Sequence, residues 1–178
     1  MKTKIIKILN LTAILLLLAG SFSCEKKEIT DLPPETQTGA NTFGCYVNGE
    51  LFVKDGTVPF MMPAISAAFQ KGNKTLTIES YSKKGYIYIE LNNMQKHVAQ
   101  PISIAYFTSN NEWTKACFCF AGKDIGEIIL TKFDTINCIA SGRFNFNGQC
   151  SDPLFNIQGD SIAHIKDGRF DIKLDIYD

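Results

Sequence analysis

Beyond residue 42, apolar and polar residues alternate in short runs. Turn-forming groups such as Asn48-Gly49, Asp55-Gly56, Ser82-Lys83-Lys84-Gly85 and Asp167-Gly168 interrupt them, and no stretch keeps a helical period. A period of two sends successive side chains to opposite faces of an extended chain, so each run predicts a half-buried β-strand. The clearest pair is Thr75 to Tyr81 with Tyr86 to Leu91. Setting Tyr81 opposite Tyr86 gathers Leu76, Ile78, Ile87, Ile89 and Leu91 on a core face and Thr77, Glu79, Tyr81, Tyr86, Tyr88 and Glu90 on an outer face. Phe43 to Val47 and Leu51 to Val53 predict a hairpin around Asn48-Gly49. A three-residue loop through Glu50 sets Val47 against Leu51 and Cys45 against Val53, and this is the expected register. Residues 57 to 70 carry Pro59 and Pro63, which lack a ladder donor, so an edge strand or irregular cover is expected there.

The second half continues the pattern. Pro101 to Phe107 and Trp113 to Ala121 flank Ser109-Asn110-Asn111, Glu127 to Asp134 leads into Cys138 to Asn147, and Ser151 to Gly159 reads as a loop. A closing hairpin of Ser161 to Lys166 and Arg169 to Tyr177 is expected to turn at Asp167-Gly168. It places Phe170, Ile172, Leu174 and Ile176 inward and Arg169, Asp171, Lys173 and Asp175 outward. About ten short strands with an inward apolar stripe must pack as two layers or close on themselves. The expected fold is a single all-β domain over residues 43–178, an antiparallel β-sandwich, with a closed or partly open β-barrel as the alternative.

The N-terminus obeys a different rule. Lys2, Lys4 and Lys7 precede the apolar run Leu11 to Ala19, and the small residues Gly20, Ser21 and Ser23 precede Cys24, so residues 1–23 read as a signal peptide. The apolar run is well short of the ~20 residues that span a bilayer. A cysteine directly after the small residues is the mark of a lipoprotein, and Cys24 is expected to be the lipidated first residue of the mature chain. Ordinary cleavage to a soluble secreted protein is the alternative, because Ser21 stands where the lipobox cysteine would follow Leu18-Ala19-Gly20. Residues 24–42 carry Pro33-Pro34 and a run rich in Thr, Gln, Gly and Asn, with little to bury, and read as a flexible tether.

Composition then narrows the function. The 18 basic and 18 acidic residues cancel, and no basic run exceeds the pairs Lys26-Lys27 and Lys83-Lys84, so a nucleic-acid partner is not expected. Of the 6 cysteines, the five after Cys24 cannot all pair within one chain, which argues against a disulfide scaffold.

The stretch Leu32-Pro33-Pro34-Glu35-Thr36-Gln37-Thr38-Gly39-Ala40-Asn41-Thr42-Phe43-Gly44-Cys45-Tyr46-Val47-Asn48-Gly49 resembles the start of a family of Bacteroidota lipoproteins of unknown function. So do Thr131 to Thr135, Ser141 to Phe144 and Asp167 to Ile172 near the end. The resemblance covers the two ends of the mature chain better than its middle. It implies a lipid-anchored protein of the cell envelope, at the outer membrane, and brings no activity with it. It also implies O-glycosylation as a candidate modification at Thr135 and Ser161, in the triplets Asp134-Thr135-Ile136 and Asp160-Ser161-Ile162.

Candidate chemistry is sparse. Cys117-Phe118-Cys119 places two thiols on one side of a strand with Cα atoms ~6.8 Å apart, at the far limit for a disulfide, and lacks the spacing of a zinc knuckle. Small core residues are the expected role for both, and likewise for Cys45 and Cys138, whereas Cys150, at a strand end, reads as the free thiol that a reagent reaches first. In the register of the Asp167-Gly168 turn, His164 faces Asp171 as an exposed ion pair, and His97 stands alone in a loop. No metal site, cofactor or catalytic residue is expected, and nothing in the motifs argues for an enzyme.

The membrane, reached through lipid on Cys24, and a glycan or protein partner are the expected contacts. The expected binding surface is Tyr81, Tyr86 and Tyr88 with Glu79 and Glu90, since tyrosine joins a large flat ring to a polar tip. On an open hairpin face, loss of Tyr88 is expected to cost no more than ~0.5 kcal/mol. A non-catalytic interaction or binding module is therefore the expected function. The alternatives are a barrel-type carrier of a small apolar ligand and a thiol-dependent enzyme using Cys117 and Cys119.

Overall fold

The computed structural model describes residues 30–54, 63–109, 116–120, 126–152 and 157–178, with backbone alone at 109, 116–120, 150–152 and 157–161. Its strands in chain order are β1 Thr42–Val47, β2 Glu50–Val53, β3 Ile65–Gln70, β4 Thr75–Ser82, β5 Gly85–Leu91, β6 Ala99–Pro101, β7 Ile104–Ser109, β8 Ala116–Phe120, β9 Gly126–Asp134, β10 Ile139–Asp152, β11 Ile157–Lys173 and β12 Asp175–Tyr177. They form two packed layers, β12-β3-β4-β5-β7-β8 and β9-β10-β11-β1-β2, with β6 extending the edge of β9. The expected β-sandwich is what forms, and the barrel alternative is not, because the pairing does not close. Every pair is antiparallel except β12 with β3.

Alternation delivers the core directly. Leu76, Ile78, Ile87, Ile89 and Leu91 are all buried, and Tyr81 pairs with Tyr86 as their spacing predicts. Phenylalanines tie the layers together. Phe52 of β2 meets Phe107 of β7 edge-on at 6.3 Å, and Phe69 of β3 meets Phe133 of β9 at 4.9 Å. Rings in these edge-to-face geometries add to the burial that supplies most of the stability.

Turn chemistry overrides two expectations. The first hairpin uses a two-residue Asn48-Gly49 loop, pairing Val47 with Glu50 and Cys45 with Phe52, and not the three-residue loop. Both turn residues have positive φ, 51° and 85°, the conformation that matches the twist of the flanking strands. Asp167-Gly168 makes no hairpin at all, since β11 runs straight through it. Asp167 has φ 54°, and the pairing with both β1 and β10 slips there, so the pair forms a bulge in a continuous strand. Gly168 is required because a Cβ would lie 2.5 Å from the Phe144 ring. His164 consequently lies opposite Asn147, with Nδ1 2.8 Å from its Oδ1, and is not the partner of Asp171.

Strand order corrects two more. Residues 65–70 are no edge: β3 lies between β12 and β4 and buries Ile65, Ala67 and Phe69, while Pro59 lies outside the described residues. The loop expected from Ser151 to Gly159 is overturned at both ends, where β10 reaches Asp152 and β11 starts at Ile157, and its centre, 153–156, lies outside the described residues. The long β10 also changes layer. Its first part, from Ile139 to Phe146, pairs with β9, and its end, from Gln149 to Ser151, pairs with β8, over the residues where the pairing with β11 shifts register.

The largest correction concerns Asp171 and the segment read as a tether. Asp171 is 1% exposed, not outward, at the register position between Thr42 and Ser141. Its carboxylate accepts hydrogen bonds from Thr36 Oγ1 (2.6 Å), Thr38 N (3.0 Å), Thr38 Oγ1 (3.2 Å), Gly39 N (2.8 Å), Ala40 N (3.2 Å) and Ser141 Oγ (2.8 Å). Arg169 Nη1 donates to Pro33 O at 3.4 Å, Lys132 Nζ to Gln37 O at 2.9 Å and Lys173 N to Asn41 Oδ1 at 2.9 Å. In its described part, residues 30–41, the segment is thus part of the domain and no flexible spacer. Its polarity is the reason it binds: hydroxyls and backbone N–H groups converge on a charge that must be met once buried.

Burial pushes the Asp171 carboxyl up, but hydrogen bonds from Thr36, Thr38, Ser141 and Gly39 outweigh it and hold the group well below the usual carboxylate range. The unfolded chain titrates near pH ~4. Asp171 therefore contributes its full stabilisation above about pH 5 and loses it as pH falls through the acid range below that. Asp171→Asn is expected to cost about 2–4 kcal/mol at pH 7, and to flatten the acid limb of a stability-versus-pH curve from urea unfolding. Limited proteolysis of the variant should cut first within residues 30–41.

Candidate functional site

Four tyrosines gather on the outer face of β4, β5 and β7. Tyr81 and Tyr86 lie with ring centroids 4.3 Å apart, Tyr86 and Tyr106 at 5.5 Å, and Tyr88 and Tyr106 stack at 5.0 Å with an interplanar angle of 16°. The register explains the cluster. Tyr88 stands between Glu79 on β4 and Tyr106 on β7, while Tyr81 and Tyr86 form the adjacent cross-strand pair. All four are half-buried, as are Glu79 and Glu90. The five residues expected from the sequence are thus brought to one face.

Tyr106 is the member that sequence reasoning missed. It lies 18 residues beyond Tyr88 and joins the face only because β7 pairs with β5, with Tyr106 opposite Tyr88. The available signal is the alternation Ile104, Tyr106, Thr108, which marks a face but does not name its neighbour.

Carboxylates border the rings. Tyr88 Oη donates to Glu90 Oε2 at 2.7 Å, Asn92 Nδ2 donates to Glu90 Oε1 at 3.2 Å, and Ser66 Oγ donates to Glu79 Oε2 at 3.3 Å. Lys84 turns to Glu50 of the first hairpin, 3.4 Å away. Burial raises the phenol pKa of Tyr86, with hydrogen bonding to Tyr106 and the charge of Glu79 adding to it. Burial, the Glu90 hydrogen bond and the Glu90 charge raise that of Tyr88, and burial and Glu79 raise that of Tyr81. Tyr81, Tyr86 and Tyr88 are therefore held as neutral phenols at neutral pH, with the carboxyl oxygens of Glu79 and Glu90 beside them as acceptors. Flat apolar rings edged by carboxylates suit a ligand that is apolar on one side and rich in hydroxyls at its rim.

A second concavity, about 520 Å³, lies on the outer side of β9, β10 and β11, lined by Glu35, Glu127, Arg143, Lys166 and Arg169 among others. Within it Glu35 is held by Arg143 (Nε to Oε2, 2.8 Å) and Arg169 (Nε to Oε1, 3.5 Å). Among the described residues no group of three His, Cys, Asp or Glu side chains is arranged to hold a metal.

The remaining candidates do not converge. Cys24 lies outside the described residues. Thr135 is exposed in the turn between β9 and β10, where Asp134 Oδ1 accepts from the N–H groups of Ile136 (3.0 Å) and Asn137 (2.9 Å), and Ile136 is 90% exposed. Ser161 falls within β11. Cys45 is buried, and burial pushes its thiol far above the ordinary range. Cys138 sits in the Thr135 turn with φ 55° and packs against the core, outside the strand phase expected for it. Cys150 lies two residues before the end of β10, opposite Cys117 of β8. His97 is in a loop, its N–H bonded to Leu130 O at 3.0 Å. No helix of the described residues is long and apolar enough to cross a membrane. Comparison of the chain with protein-family models, curated proteins and solved structures finds no match.

The face carries a spectroscopic test. Raised phenol pKa values mean that folding favours the neutral rings, so their stabilisation is complete below pH ~10 and fades as pH rises toward the folded values. Ultraviolet titration should show a group of tyrosines that ionise late, only as the domain unfolds, and Tyr88→Phe should remove one of them. Because Tyr88 stacks on Tyr106 and bonds Glu90, Tyr88→Ala is expected to cost about 1–2 kcal/mol in urea unfolding, above the ~0.5 kcal/mol of an open hairpin.

Proposed function

We propose that this protein is a non-catalytic binding module of the cell envelope, anchored by lipid on Cys24, whose tyrosine face receives a glycan. The observation that carries the binding reading is the contiguous four-ring surface Tyr81, Tyr86, Tyr106 and Tyr88, edged by Glu79 and Glu90. Sugar rings present C–H faces that stack on aromatic rings and hydroxyls that donate to carboxylates, so both components of this surface are used at once. A surface assembled on three hydrogen-bonded strands is also preorganised, which lowers the entropic cost of binding. The location rests on the basic start, short apolar run and Cys24 of the N-terminus, and on the resemblance to Bacteroidota lipoproteins.

Two measurements test the halves of this reading separately. In the native envelope, Cys24→Ala should move the protein from the membrane fraction to the soluble one, and retention of a folded variant in membranes would refute lipidation. The purified domain should bind members of a panel of bacterial and plant polysaccharides in affinity electrophoresis. Tyr106→Ala and Tyr88→Ala should each weaken that binding about tenfold, the equivalent of one well-packed aromatic contact. Absence of binding across the panel, or undiminished binding by folded variants, would remove the tyrosine face as a glycan site.

A further inference from the structure

We propose that Cys117 and Cys150, set directly opposite each other where β8 joins β10, form a reversible cross-strand disulfide that locks the two layers together. The ladder at this junction pairs Gln149 with Phe118, Cys150 with Cys117 and Ser151 with Ala116. Directly opposed residues of antiparallel strands have Cα atoms about 4.5–5.5 Å apart, within the range of about 4.4–6.8 Å that a disulfide accepts. No other cysteines of the described residues are register partners. Cys119 lies opposite Ala105 of β7, beyond the last β8–β10 pair, and stands ~6.8 Å from Cys117 along its own strand. Cys45 lies opposite Phe52, and Cys138 belongs to the turn before β10.

The position gives the bond a purpose. The β8–β10 ladder has three residue pairs, against five between β7 and β8 and twelve between β10 and β11. It is also the step at which hydrogen bonding passes from the layer bearing the tyrosine face to the other layer. A covalent link here closes a long loop, where constraint of the unfolded chain is greatest in the loop-entropy account. It also braces β8, whose Phe118 is the register neighbour of Tyr106.

Closure takes two electrons and two protons from the two thiols, and the oxidant is a small-molecule or protein disulfide. One thiolate attacks the oxidant and expels a thiol, forming a mixed disulfide. The second thiolate then attacks that bond, expelling the second thiol and leaving the Cys117–Cys150 bridge. Reduction by a dithiol reverses both steps.

The purified full chain, equilibrated with oxidised glutathione and blocked with N-ethylmaleimide, provides the test. Non-reducing tryptic mapping should link the peptide 116–123 to the peptide 144–166, with fragmentation placing the bond at Cys117 and Cys119 unlinked. Cys119→Ser should keep the link and Cys117→Ser should abolish it. Reductant should lower the melting temperature of the wild type and of Cys119→Ser by several degrees. Maleimide on both Cys117 and Cys150 of the oxidised folded protein, or a bond from Cys150 to Cys119 or to another chain, would overturn the proposal. The wild-type map decides the matter even if a variant fails to fold. It is also independent of glycan binding, so either reading can fail without the other.

Discussion

A carboxylate withdrawn from water in a sheet interior is stable only if donors surround it, and Asp171 meets that condition by recruiting a segment more than 130 residues away in sequence. Three backbone N–H groups and three hydroxyl contacts converge on its two oxygens. The consequence reaches beyond one residue. Residues 30–41 are drawn across β10 and β11, Glu35 is delivered to Arg143 and Arg169, and the chain enters β1 already aligned with β11. The surface ion pairs are worth little alone, so the order of this segment rests on the buried carboxylate.

The same two long strands tie the layers together. β10 and β11 run 14 and 17 residues, beyond what a flat strand keeps in register, and the bulges at Asp167 and near Gln149 let them bend. The β8–β10 ladder joins the layer of β4, β5 and β7 to its partner. Its inner face is then sealed by Phe52 against Phe107 and Phe69 against Phe133, and its tyrosines are left on the outside. A rigid aromatic surface over a core of phenylalanine and isoleucine has the flatness and fixed geometry that stacking against a ligand requires.

Several features of this fold follow from local periodicity alone. Alternation set the all-β class, the core face of the 75–91 hairpin and the shared outer face of Tyr81, Tyr86 and Tyr88, because a period of two assigns sides without knowledge of neighbours. Whatever depends on which strands adjoin is fixed only by long-range pairing. Tyr106 joins the site only through the β5–β7 ladder, and Cys150 meets Cys117 only through the β8–β10 ladder. Asp167-Gly168 carries a turn signature yet is a bulge, because β1 and β10 on either side offer β11 more hydrogen bonds as a continuous strand than a hairpin would. Asp171 alternates with Phe170 and Ile172 and so reads as outward. It is buried because the polar segment 36–40 lies over that face, and no local rule can reveal a cover supplied by the opposite end of the chain.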